Sequence, residues 1–101
     1  MPTAKYWVDT FAPGNGYLTP NPYTQGAASV GQLFAGRNYV FCKKWGDEVR
    51  VGADFNHWWL WTDLDSYTPG IPSAYVSAYY LTNWGNDVAR DNNGTEIPNC
   101  P

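Results

Sequence analysis

Charge is scarce in this chain: Asp, Glu, Lys and Arg make up only 15% of its 101 residues, six basic against nine acidic, for a net charge of −3. The basic residues are scattered, so the electrostatic footprint that a phosphate backbone requires is missing and nucleic acid is not an expected partner. No apolar run reaches transmembrane length, so membrane insertion is not expected either. Histidine occurs once, at His57, and no Cys or His pair has the short spacing of a zinc site. The reading therefore includes no metal and no cofactor.

Cysteine is also rare. Cys42 and Cys100 are the only two, far apart in sequence, and the simplest reading is that they bond to each other. On the chain-entropy model, closing such a loop stabilises a domain by about 4 kcal/mol, and the bond implies an oxidising compartment. Met1-Pro2-Thr3-Ala4-Lys5 has neither a basic n-region nor an apolar h-region. The expectation is a mature, secreted, extracellular domain whose export signal has been replaced by a start Met. A chain of this length fits one small domain, residues 1–101.

What the chain has in quantity is aromatic: six Trp, eight Tyr and four Phe. They concentrate in Trp58-Trp59-Leu60-Trp61 and Tyr75-Val76-Ser77-Ala78-Tyr79-Tyr80-Leu81, whose aromatic and β-branched content predicts strands. Residues 1–12 read as an edge strand. Ala12 to Gly26, punctuated by Pro13, Gly14, Gly16, Pro20 and Pro22, reads as a long surface loop with a positive-φ turn at Asn15-Gly16. Short strands follow at Ser29–Phe34, Asn38–Trp45 and Glu48–Gly52, separated by turns at Ala35–Asn38 and Gly46-Asp47, with the last strand pairing the Trp58 strand. Asp65 to Pro72 is a loop. After Leu81 the pattern allows one short helical turn and an irregular tail to Cys100.

Three segments carry a family resemblance: Pro22-Tyr23-Thr24-Gln25 through Val30-Gly31-Gln32-Leu33-Phe34-Ala35-Gly36-Arg37, then Trp58-Trp59-Leu60-Trp61, then the closing Tyr75-Val76-Ser77-Ala78-Tyr79-Tyr80-Leu81. In this order they resemble bacterial SH3-like domains, and the Trp84-Gly85-Asn86-Asp87 tail with its Cys-terminated end is similar to a subgroup of small secreted actinobacterial proteins. The resemblance implies an all-β fold: a small SH3-like β-barrel over about residues 4–82 and a disulfide-tethered tail over 83–101. It also implies a non-catalytic module that binds peptidoglycan, a peptide or a protein partner. The chain departs from the family at Tyr17-Leu18-Thr19-Pro20-Asn21-Pro22, where the usual Arg is missing, and at Ala74, where the family has Gly. The first change lies in a loop that often touches ligand, so ligand identity does not transfer.

Candidate reactive groups read as structural. His57 has Asp54 and Asp63 near in sequence, but as a general base it needs an orienting carboxylate and a substrate within reach; a strand-start residue bonding the backbone is the simpler reading. Asp63 and Asp65 would share a strand face, as a glycosidase pair or calcium site requires, yet solvated acids beside a loop are the commoner case. Asp91-Asn92-Asn93-Gly94-Thr95-Glu96 lacks the spacing of a full calcium loop, and Asn93-Gly94-Thr95 matches a glycosylation acceptor only in a eukaryotic secretory host.

The aromatics exceed what a small core absorbs. Strand alternation puts Trp59 and Trp61 on one face and Trp58 and Leu60 on the other, so one face meets either solvent or the tail. If Trp84 and the tail cover it, the rings are structural; if not, they line a groove for sugars, prolines or peptide side chains. The candidate ligand-binding residues are Tyr17, Tyr23, Trp58, Tyr79 and Tyr80. A structural or self-associating extracellular protein, or an inhibitor of a secreted enzyme, is the competing expectation.

Overall fold

In the computed structural model, which describes residues 3–101, the chain is all-β with two antiparallel sheets. Met1 and Pro2, the start of the expected edge strand, lie outside the described residues. β1 (Tyr6–Thr10) and β4 (Gly36–Val40) form the smaller sheet, and Thr10 of β1 also bridges to Leu81. The larger sheet has six strands in the order β5, β6, β8, β2, β3, β7: β5 (Cys42–Val51), β6 (Asp54–Asp63), β8 (Ser73–Ser77), β2 (Gly14–Tyr17), β3 (Gly31–Leu33) and β7 (Ser66–Tyr67). A single-turn helix, α1 (Pro22–Gln25), and a 3₁₀ turn at Ala78–Tyr80 complete the regular structure.

The β5–β6 hairpin is the longest pairing and matches the expected partnership of the Glu48 and Trp58 strands. Gly52 makes its tight turn at φ 62°, a conformation that strains any residue with a Cβ. The expected turn at Gly46-Asp47 is instead a bulge within β5, where the register slips between Trp45 and Val49. Bulges re-aim the strand. Gly46 is required there because a Cβ would come within 2.0 Å of the Pro20 carbonyl oxygen.

The expected surface loop from Ala12 to Gly26 is corrected most. Gly14–Tyr17 is an interior strand, paired on one side with β3 and on the other with β8. Asn15-Gly16 is extended in that strand, not a positive-φ turn. These glycines serve close packing: a Cβ on Gly14 would meet Val76 at 2.7 Å, and one on Gly16 would meet Leu64 at 2.8 Å. Arg37 and Asn38, expected in a turn, already belong to β4. The expected Asn38–Trp45 strand is broken at Phe41, where the chain leaves one sheet for the other and Phe41 N–H donates to the Trp61 carbonyl. The Tyr75 strand ends at Ser77, whose Oγ accepts the Tyr79 N–H and starts the 3₁₀ turn. Ser66–Tyr67, expected as loop, forms the short β7.

The tail is part of the core. Ala89 and Ile97 are fully buried with Val8, Val40, Leu60, Ala78 and Leu81, and Tyr6, Trp58 and Trp84 pack around them. Burying each large aliphatic contributes about 1.5–3 kcal/mol, so the tail is held by more than its covalent tether. That tether is the Cys42–Cys100 disulfide, with Cα atoms 4.9 Å apart. Lys43 N–H donates to the Pro98 carbonyl and Cys100 N–H to the Lys43 carbonyl, so the tail also shields part of the β5 edge.

Candidate aromatic binding site

β6 places two tryptophans in succession, and alternation sends them to opposite faces. Trp59 is 1% exposed. Its indole N–H donates to the Asp47 carbonyl at 2.9 Å. The Asp47 carboxylate, in turn, accepts hydrogen bonds from the backbone N–H groups of Tyr23 and Thr24 and from the Thr24 hydroxyl. It thereby satisfies the free donors at the start of α1, a role that Asn21, with no side-chain cap bond, does not fill. Burial pushes the Asp47 carboxyl up, but the Thr24 and Tyr23 hydrogen bonds outweigh it and hold the carboxyl below its usual range.

That anchoring fixes Tyr23 beside Trp59. The ring centroids of Tyr17, Tyr23 and Trp59 are 6.0–6.2 Å apart pairwise, all edge-to-face, the arrangement that the ring quadrupoles favour. Tyr80, from the 3₁₀ turn, joins them around a recess of about 30 Å³ that Asn15 and Ser77 also line. Tyr23 is 57% exposed. Among the described residues, the hydroxyls of Tyr17, Tyr23 and Tyr80 have no hydrogen-bond partner, and Asn15 Oδ1 already accepts from Gln32. Burial, then the neighbouring Tyr17 and Tyr80 phenols and the Asp47 carboxylate, raise the Tyr23 pKa. Burial, then Tyr17 and Tyr79, raise that of Tyr80. Both phenols are therefore neutral at physiological pH and present O–H groups that can donate and accept.

The structure separates the remaining candidates from this cluster. Tyr79 sits 5.4 Å from Tyr80 but lines a different depression with Phe11. Trp58 is on the opposite face of β6, packed at the edge of the tail-covered core. Its N–H donates to the Asp87 carbonyl, the Lys43 ammonium lies 4.2 Å from its ring centre, and Trp45 packs on it edge-to-face. Trp59, Asn15 and Ser77 were not among the candidates. Trp59 had a signal in the alternation of its strand, whereas Asp47 had none, because its partners lie more than twenty residues away.

His57 lies within β6 rather than at a strand start. Its Nδ1 is 2.9 Å from Asp87, its Nε2 3.8 Å from Glu48, and its ring stacks on Trp45. Neither Asp54 nor Asp63 is its partner. Asp63 accepts from the Tyr39 and Ser73 hydroxyls, and Asp65 from Phe34 N–H, so the two carboxylates serve separate structural contacts. Asp91 closes a turn by accepting from the N–H groups of Asn93 and Thr95, and Glu96 pairs with Lys43 and Arg90. Among the described residues, no three His, Cys, Asp or Glu side chains converge on one point. No protein-family model, curated protein or solved structure matches the chain.

Proposed function

We propose that this protein is a secreted, non-catalytic binding module of the SH3-like class, which holds a cell-wall component or an extended peptide against the Tyr17, Tyr23, Trp59 and Tyr80 cluster. The observation that carries the reading is the gathering of three tyrosines, whose hydroxyls have no partner among the described residues, around one buried indole. Buried hydroxyls are normally paired, so unpaired ones belong to rings whose polar end reaches solvent. Exposed, they offer stacking area with hydrogen bonds at the rim, which suits an extended ligand with apolar side chains and backbone amides. A recess this small encloses no ligand and instead seats one side chain or ring edge of something lying across it. Charge plays a minor part.

Co-sedimentation with purified peptidoglycan tests the cell-wall form of this reading. Native protein is expected in the pellet and Tyr23→Ala in the supernatant, with both proteins folded by circular dichroism. Equal retention of the two would remove Tyr23 from the site, and no retention of the native protein would remove the cell wall as ligand.

The competing reading, self-association, draws on the wide spread of exposed apolar side chains, among them Trp7, Phe34, Trp45 and Tyr67. Light scattering at rising concentration distinguishes it by a mass that exceeds the monomer's.

A further inference from the structure

A second depression lies beyond Tyr79, on the far side of the 3₁₀ turn from the tyrosine cluster. It measures about 190 Å³ and is lined by Phe11, Tyr79 and Trp84, with Phe55, Asn86 and Asp54 at its border. Phe11 and Tyr79 meet edge-to-face at 5.6 Å, and the half-buried Trp84 is braced against the core from the tail side. Four rings, those of Phe11, Phe55, Tyr79 and Trp84, share the pocket's lining with the polar side chains of Asp54, Asn56, Thr82 and Asn86. Its volume is below that of a site for a whole drug-sized ligand, so it fits a headgroup.

Asp54 is the charged residue in the lining. Asn86 is engaged at both ends of its amide, its Oδ1 accepting from Phe55 N–H and its Nδ2 donating to the Ala53 carbonyl. The Asp54 carboxylate, by contrast, makes no ion pair or hydrogen bond among the described residues, whereas Asp9, Glu48, Asp87 and Glu96 are each paired. Arg50 is engaged with Glu48 and lies over the Phe55 ring at 4.5 Å. Aromatic faces attract cations through their quadrupole, and an unpaired carboxylate beside them adds a Coulombic partner.

We propose that this pocket binds an alkylammonium group, its methyl or methylene carbons against Phe11, Tyr79 and Trp84 and its charge toward Asp54. A lysine side chain and a quaternary ammonium headgroup share that chemistry. The pocket does not depend on the tyrosine cluster for its ligand, so the two sites succeed or fail separately.

The test is an amide and indole NMR titration of the full chain with n-butylammonium, tetramethylammonium and, as neutral control, n-butanol. Saturable shifts at the Trp84 indole and the Phe55 and Asn86 amides are expected with a cation and not with n-butanol; the cation that binds more tightly distinguishes the lysine-like from the quaternary source. Asp54→Asn, an exposed substitution, is expected to weaken that binding at least fivefold, and Trp84→Leu to abolish it. Equal response to n-butanol, no saturable shift with either cation, or undiminished binding by Asp54→Asn would each overturn the proposal.

Discussion

The two faces of β6 carry neighbouring tryptophans in parallel arrangements that end differently. On one face, Trp58 donates its N–H to the Asp87 carbonyl while the Asp87 carboxylate holds His57. On the other, Trp59 donates to the Asp47 carbonyl while the Asp47 carboxylate holds the start of α1. Each aspartate ties a distant segment over an indole. The Trp58 segment is the tail, which brings Ala89 and Ile97 into the core and closes with a disulfide. The Trp59 segment is a single-turn helix that brings only Tyr23 over the indole and leaves that ring open. The difference is one of polar accounting. Around Trp58 the Asn56, His57 and Asp87 side chains find partners inside the protein, whereas the hydroxyls of Tyr17, Tyr23 and Tyr80 near Trp59 have none among the described residues.

The largest effect that would sharpen this contrast is expected from Trp59→Ala. Removing a fully buried indole costs about 3–5 kcal/mol, measured as a lowered urea midpoint, and the substitution loosens Tyr17 and Tyr23 together. Replacing both cysteines by serine acts on the other face. It is expected to destabilise by up to about 4 kcal/mol, since the bond spans 58 residues, while leaving the tyrosine cluster intact at low denaturant. Loss of ligand binding in the folded double variant would break the separation of the two faces.

Asp47→Asn is expected to cost about 1 kcal/mol, the usual value of a helix-start contact. Its pH dependence supplies the sign. The folded-state pKa of Asp47 lies below the ordinary carboxylate value, so its stabilisation is present above that ordinary value and is lost as pH falls through the folded one. Glu96, lowered by its hydrogen bond from Lys43, acts with the same sign on the tail face. Native and Asp47→Asn proteins are therefore expected to differ in urea midpoint at neutral pH and to draw together as pH is lowered below the ordinary carboxylate value. The smallest effect on stability is expected from Tyr23→Phe: within about 0.5 kcal/mol of native. Loss of one hydroxyl contact would still lower ligand affinity roughly threefold to tenfold.

The strands legible in the sequence were those in which side chains decide the conformation. β6 and β8 concentrate aromatic and β-branched residues, and Glu48-Val49-Arg50-Val51 alternates as an edge strand should. β2 was illegible because Gly14 and Gly16 read as breakers, whereas they are there to let β8 and Leu64 approach. The break at Phe41 and the bulge at Gly46 depend on Trp61 and Pro20, far away in sequence, so no local pattern marks them. The same limit applied to the site. Tyr17, Tyr23 and Tyr80 could be grouped from segments that resemble a known class, but Trp58 was grouped with them because alternation alone does not say which face of a strand the tail will cover. Nothing near Asp47 in sequence shows that it positions Tyr23.

The central claim is that the open tyrosine cluster over Trp59, and not the tail-covered face, meets the ligand. An NMR titration of the native chain with solubilised peptidoglycan fragments tests it most directly. Saturable shifts are expected at the Trp59 indole and at the amides of Tyr17, Tyr23 and Tyr80, with the Trp58 indole unmoved; shifts centred on Trp58, Ala89 and Ile97 would place the ligand on the other face.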